Sequence, residues 1–165
     1  MNANLPIEHQ KALTCVQGYV ELGMPQEALR ELKALPAPLR ASPITIEMHV
    51  VVLIRMERWK PATTLARKLC KLQPALPAGF IHLAYCLHET GQTPAARDTL
   101  LKGPKALQKE ATYFYNLACY EAVLGNLDSA RRHLARSISI NKRFLEFARK
   151  DNDLAALHPE LKESP

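Results

Sequence analysis

Six histidines, four cysteines and sixteen carboxylates are the side chains of this 165-residue chain that could ligate a metal or carry a proton. His82 and Cys86 stand four residues apart, which places both on one face of a helix and offers half of a tetrahedral metal site. Cys119 could sit on a neighbouring helix, but no further ligand follows from the sequence, and no metal is expected. Cys15, Cys70, Cys86 and Cys119 include no pair at the short spacing of zinc sites or redox motifs. They read as small buried or half-buried thiols in a reducing compartment, which places the chain in the cytoplasm. Nucleophilic catalysis needs an activated serine or cysteine beside a base and an orienting group, and no such set can be assigned. Neither a phosphate loop nor a dinucleotide fingerprint is present. The chain is therefore expected to be no enzyme and to hold no cofactor.

The remaining charged chemistry is cationic. The net charge is +6, and two basic clusters stand out: Arg55, Arg58, Lys60, Arg67, Lys68 and Lys71, then Arg131, Arg132, Arg136, Lys142 and Arg143. Such runs are ordinarily the solvated face of helices. A functional role would be docking of an acidic partner or of a nucleic-acid backbone, with steep salt dependence. Met1–Gln10 lacks the pattern of a signal peptide. The longest apolar run, Met48–Ile54, is far too short to span a membrane.

The elements that must carry these side chains follow from a 34-residue period. Ala28, Ala62, Ala96 and Ala130 share one column, and Gly23, Gly91 and Gly125 share another, with Glu57 in the missing place. Further columns read Val16, Val50, Ala84, Ala118; Ala12, Ile46, Phe80, Phe114; Leu32, Ala66, Leu100, Leu134; and Cys15, His49, Leu83, Leu117. Within each period apolar residues recur at helical spacing, as in Ala12, Cys15, Val16 and Tyr19. A glycine suited to a left-handed C-cap follows, and then Pro25, Pro61 or Pro94 stands near the start of a second helix. The small alanine of each second helix lets two antiparallel helices approach closely. This pattern predicts first helices at about 7–22, 43–56, 77–90 and 110–124. It predicts second helices at about 25–35, 60–72, 93–102 and 127–140.

A helix-turn-helix unit of this length with Gly, Ala and Pro columns resembles the tetratricopeptide repeat family over about His9–Asn141. The likeness is strongest in FIHLAYCLHETGQTPAARDTLL and FYNLACYEAVLGNLDSARRHLARSISI. The chain departs from the pattern at Glu57, in having Phe80 and Phe114 instead of a first-helix tryptophan, and at Gly103-Pro104, which cuts a second helix short. The resemblance implies an all-α, right-handed α-solenoid of four helical hairpins in a single domain over 1–165. Its repeats would lie at about 9–42, 43–76, 77–110 and 111–144. A capping segment at about 142–163 would cover the last hairpin with Phe144, Leu145, Phe147, Ala148, Leu154 and Leu157, with a turn at Asp151-Asn152-Asp153.

In such a solenoid the first helices line a concave groove. Carried over residue by residue, the groove positions are Gln17, Met48, Val51 and Arg55, then Ile81, His82, Tyr85 and Glu89, and finally Tyr115, Asn116 and Cys119. Val20, Glu21, Ile54, His88 and Val123 stand on the same helix faces. Aliphatic and aromatic anchors among a few polar groups suit an amphipathic helix or an extended peptide. Val51, Ile81 and Cys119 could instead pack neighbouring helices together. The lysine, asparagine and arginine with which some relatives grip a C-terminal carboxylate have no counterparts here. The expected function is a scaffold or adaptor for a protein or peptide partner. Alternatives are a secretion-type chaperone, or a nucleic-acid-associated protein acting through the basic clusters.

Overall fold

The computed structural model describes residues 6–162. The first half carries α1 (Ile7–Glu21), α2 (Pro25–Ala34), α3 (Ala37–Arg40), α4 (Pro43–Arg55) and α5 (Trp59–Leu72). The second half carries α6 (Pro77–Glu89), α7 (Thr93–Leu101), α8 (Ala111–Val123), α9 (Leu127–Ile140), α10 (Arg143–Ala148) and α11 (His158–Lys162). Two 3-10 segments, Lys105–Lys109 and Asn152–Leu157, interrupt the α-helices, and no strand occurs among the described residues. Each of the eight long helices ends within one residue of the bounds that the 34-residue period predicts.

The columns become buried layers. Ala28, Ala62, Ala96 and Ala130 are fully buried, as are Val16, Val50, Ala84 and Ala118. A small side chain on each second helix thus lies in the seam of its hairpin, where a larger one would force the helices apart. Cys15 departs from expectation: it is exposed, because Leu13 and Val16 take the inward face of α1.

The turns between paired helices share one hydrogen-bond scheme. Gly91 N–H donates to His88 C=O at 2.8 Å and Gln92 N–H to Leu87 C=O at 2.9 Å, the pair of bonds that closes a helix around a left-handed residue. Gly23, Gly91 and Gly125 have φ of 71°, 76° and 83°. Glu57 makes the same pair through Ile54 and Leu53, with φ 54°, so the turn survives the loss of its glycine. A side chain in this conformation costs roughly 1–2 kcal/mol.

Two elements were not expected, α3 and the 3-10 segment Lys105–Lys109. Each follows a proline, Pro36 or Pro104, held at φ −54° or −65° with extended ψ, so the chain leaves the preceding helix and starts a fresh turn. Gly103 is required there for space as well as for termination. A Cβ would run into the buried Leu107 side chain and come within 3.2 Å of Phe80.

These insertions expose a longer period. The second helices alternate in length, 10, 14, 9 and 14 residues for α2, α5, α7 and α9. Trp59–Leu72 and Leu127–Ile140 are offset by 68 residues at both ends, and so are Pro43–Arg55 and Ala111–Val123. The chain divides into two compact units at Pro74/Ala75, each holding one short-armed and one long-armed hairpin. In the first unit, fully buried His9 joins α1 to α4 by a 2.7 Å hydrogen bond to Thr45, whose hydroxyl lies 2.9 Å from that of Ser42, the N-cap of α4. In the second, Ser137 Oγ donates to the Ala111 carbonyl at 2.9 Å and ties α9 to the start of α8.

The C-terminal segment of the second unit buries Ala148, Leu154, Leu157 and Leu161. Phe147, expected among the covering residues, is 52% exposed and meets Phe144 in a T-shaped pair. The short α10 turns once and ends, leaving that ring outside the seam.

Candidate interaction surface

The first-helix face of the first unit carries an open groove of about 480 Å³. Gln17, Val20 and Glu21 of α1 form one wall, and Val51 and Arg55 of α4 the other. Three of the expected positions, Gln17, Val51 and Arg55, therefore lie together. Gln17 Nε2 donates to Glu21 Oε1 at 2.6 Å along α1, and Arg55 is exposed in the last turn of α4. The groove thus has a valine on each side, with an amide–carboxylate pair and a guanidinium around them. Met48 is half-buried and packs against the core formed by Val16, Ala28 and Leu32.

In the second unit, Ile81 and His82 of α6 line a groove of about 380 Å³ with Ala78, Glu110 and Thr112. Burial lowers the His82 imidazole below its ordinary value. Cys86, its partner in the proposed half-site, is buried, and no group of three metal-ligand side chains includes this pair among the described residues. Tyr85 is exposed at the same face as Glu89. Its phenol is pushed up to about 12, first by desolvation and then by Glu89. Asn116 is half-buried.

Tyr115 and Cys119 already have an occupant from the chain itself. The Tyr115 hydroxyl donates to Asp151 Oδ2 at 2.7 Å, and the Cys119 thiol donates to the same oxygen at 3.6 Å. The other oxygen of Asp151 accepts the Asp153 N–H at 3.0 Å and so caps the 3-10 segment Asn152–Leu157. Asp153 Oδ2 accepts from His88 Nε2 at 2.9 Å, while His88 Nδ1 lies 3.0 Å from the Thr93 hydroxyl. The Phe144 ring lies 4.8 Å from that of Tyr115, and Tyr120 lies 4.8 Å from His88. Burial and the two aspartates push the Cys119 thiol well above its ordinary value, so it stays protonated and inert. The Asp153 hydrogen bond raises the His88 imidazole against the desolvation that opposes it.

Cys119, Asp151 and Asp153 place one ligand atom each within 4.8 Å of one another. Hydrogen bonds from Tyr115, Cys119, His88 and the backbone engage both carboxylates, so the cluster acts as the lock of the C-terminal segment. Sequence reasoning placed Tyr115, Cys119 and His88 on a groove face, where the structure turns them toward Asp151 and Asp153, and read Asp151-Asn152-Asp153 only as a turn. The signal it passed over is an aspartate immediately before a helical segment, a common N-cap pattern.

The repeated hairpins, their glycine turns and their alanine seams define a tetratricopeptide-type helical-repeat fold. Solved structures agree. The chain superposes on "MamA 41-end" from Desulfovibrio magneticus RS-1 with a TM-score of 0.72 at 17% identity, over 96% of this chain and 91% of that one. TTC0263, a thermophilic TPR protein of Thermus thermophilus, gives 0.74 at 15% identity over 93% and 95%. A MamA RS-1 double mutant gives 0.70 at 19% over 96% and 90%. These likenesses establish the fold. No protein-family model matches the sequence, and no curated protein does. No helix among the described residues is long and apolar enough to cross a membrane.

Proposed function

We propose that this chain is a cytoplasmic protein-interaction scaffold, without catalysis of its own, that holds a peptide or helix of a partner on its first-helix faces. The observation that carries the reading is the groove of the first unit, where Val20 and Val51 face a ligand from opposite walls and Gln17, Glu21 and Arg55 supply polar contacts around them. Apolar anchors with a few polar groups are how an amphipathic helix is read in a groove. Ile81, His82, Tyr85, Glu89 and Asn116 offer the same kind of surface on the first helices of the second unit, taken by itself. Tyr115 and Cys119 contribute there by holding Asp151, and with it the C-terminal segment.

A photoreactive residue placed at Val51 should cross-link a partner in the native host, and one placed at Lys68 on α5 should not. Val51→Asp with Arg55→Glu should weaken capture of that partner by at least about tenfold, the loss expected when an apolar anchor is replaced by a charge. Capture that survives this double change and disappears in high salt would move the site to the basic second helices.

A further inference from the structure

Also within the first unit, α2, α4 and α5 enclose a cleft of about 390 Å³. Leu29 of α2 and Leu53 of α4 form its buried floor, with Pro61 and Leu65 of α5 alongside. Every charged or titratable group lining it carries, or can carry, positive charge: Lys33 of α2, His49 of α4 and Arg58 at the entry to α5. Lys33 and Arg58 are exposed, and neither forms an ion pair with a described residue.

His49 reports the local field. Burial lowers its imidazole first, and Lys33 and Arg58 lower it further. Two uncompensated cations thus bear on one half-buried ring. The helix beside the cleft adds to them: α5 contains Lys60, Arg67, Lys68 and Lys71 and no acidic residue. Salt screens separated surface charges, but a low-dielectric wall on one side preserves their field inside a cleft.

We infer that this cleft is a second docking site, which takes an acidic peptide segment of a partner with a leucine-sized apolar side chain next to a carboxylate. The apolar side chain reaches the floor of Leu29 and Leu53, and the carboxylate lies between Lys33 and Arg58. The floor decides against nucleic acid. A phosphate backbone has no group to bury on two leucines, and no Phe, Tyr or Trp side chain lines the cleft to stack a base. The site is independent of the first-helix groove and lies on different residues, so either can fail without the other.

The test uses three fluorescein-labelled probes on the full chain, followed by anisotropy in low salt: a peptide of glutamates and leucines, an all-glutamate peptide of the same charge, and single-stranded oligothymidine. The glutamate–leucine peptide should bind at least about tenfold more tightly than either of the others. Lys33→Glu with Arg58→Glu should weaken it by about tenfold or more, and Lys68→Glu with Lys71→Glu by less than about threefold. These four side chains are exposed, and thermal melts of every variant, Val51→Asp included, check that it folds. Val51→Asp should leave this probe bound as before; a loss there would place the peptide in the first-helix groove and overturn the inference. Equal losses from the two charge pairs, equal binding of the three probes, or no binding of the glutamate–leucine peptide would also overturn it.

Discussion

The Tyr115 hydroxyl donates a 2.7 Å hydrogen bond to the carboxylate of Asp151, 36 residues further along the chain. A first-helix residue expected from the sequence to face a ligand is here turned toward the chain's own C-terminal segment. The same carboxylate caps the Asn152–Leu157 segment and receives the Cys119 thiol, so one side chain both shapes the segment and fastens it.

Removing that carboxylate should loosen the segment and strand a hydroxyl. Asp151→Ala is expected to lower stability by about 1–3 kcal/mol through the lost cap and the partnerless Tyr115 hydroxyl. Tyr115→Phe should cost about 1 kcal/mol, because it removes the donor and leaves the cap in place. Urea melts of the two variants, read by circular dichroism, check the order. A Phe variant as damaged as the Ala variant would put the whole loss on the Tyr115–Asp151 hydrogen bond and leave the cap no share in it.

Glu57 holds a left-handed turn that its three counterparts fill with glycine. Glu57→Gly should therefore raise stability by about 0.5–1 kcal/mol, the relief of a strained backbone reduced by the added freedom of the unfolded chain. Glu57→Ala keeps the strain and should gain nothing. Thermal melts of the three proteins distinguish relief of φ from loss of the exposed carboxylate, which both variants share.

His88 links the C-terminal segment to α6 through Asp153. Its imidazole is raised in the fold, so the folded state favours the protonated form. The stabilisation is fully present below the unfolded histidine's value of about 6.5 and is lost as pH rises through the higher folded value. The stability difference between the wild type and His88→Gln should be on the order of 1 kcal/mol near the acid end of that window and shrink above it. His82, His49 and His133, all lowered by burial, act with the opposite sign in both proteins and cancel in the difference. Urea melts across the window measure it; a difference that grows with pH would remove the ion-pair account of this contact.

Most of the fold was legible because its determinants are local and repeated. Ala28, Ala62, Ala96 and Ala130 mark a seam that four hairpins use alike, so each copy supports the reading of the others. Glu57 shows where that logic weakens. A column argument doubts the turn, whereas the hydrogen bonds from Glu57 and Arg58 hold it regardless. The site was legible only in part. Gln17, Val51 and Arg55 meet because helical spacing brings them to one face, which a sequence displays directly. The joining of Tyr115, Cys119 and His88 to Asp151 and Asp153 depends on where a non-repeating segment docks, and no period reports that. Cys15 was misplaced for a related reason: a column with leucine in two copies does not fix which residue of α1 turns inward, and Leu13 and Val16 take that face.

The alternation of short and long second helices makes the 68-residue pair, rather than the single hairpin, the module of this chain. Pro36 and Pro104 mark the same point in successive modules, and the long-armed hairpin always comes second. Deleting an internal 34-residue hairpin, or duplicating one, would keep every alanine in its column and still make two like-armed hairpins consecutive. Steps of 68 residues preserve both rhythms, so the grammar of this solenoid counts its hairpins in twos.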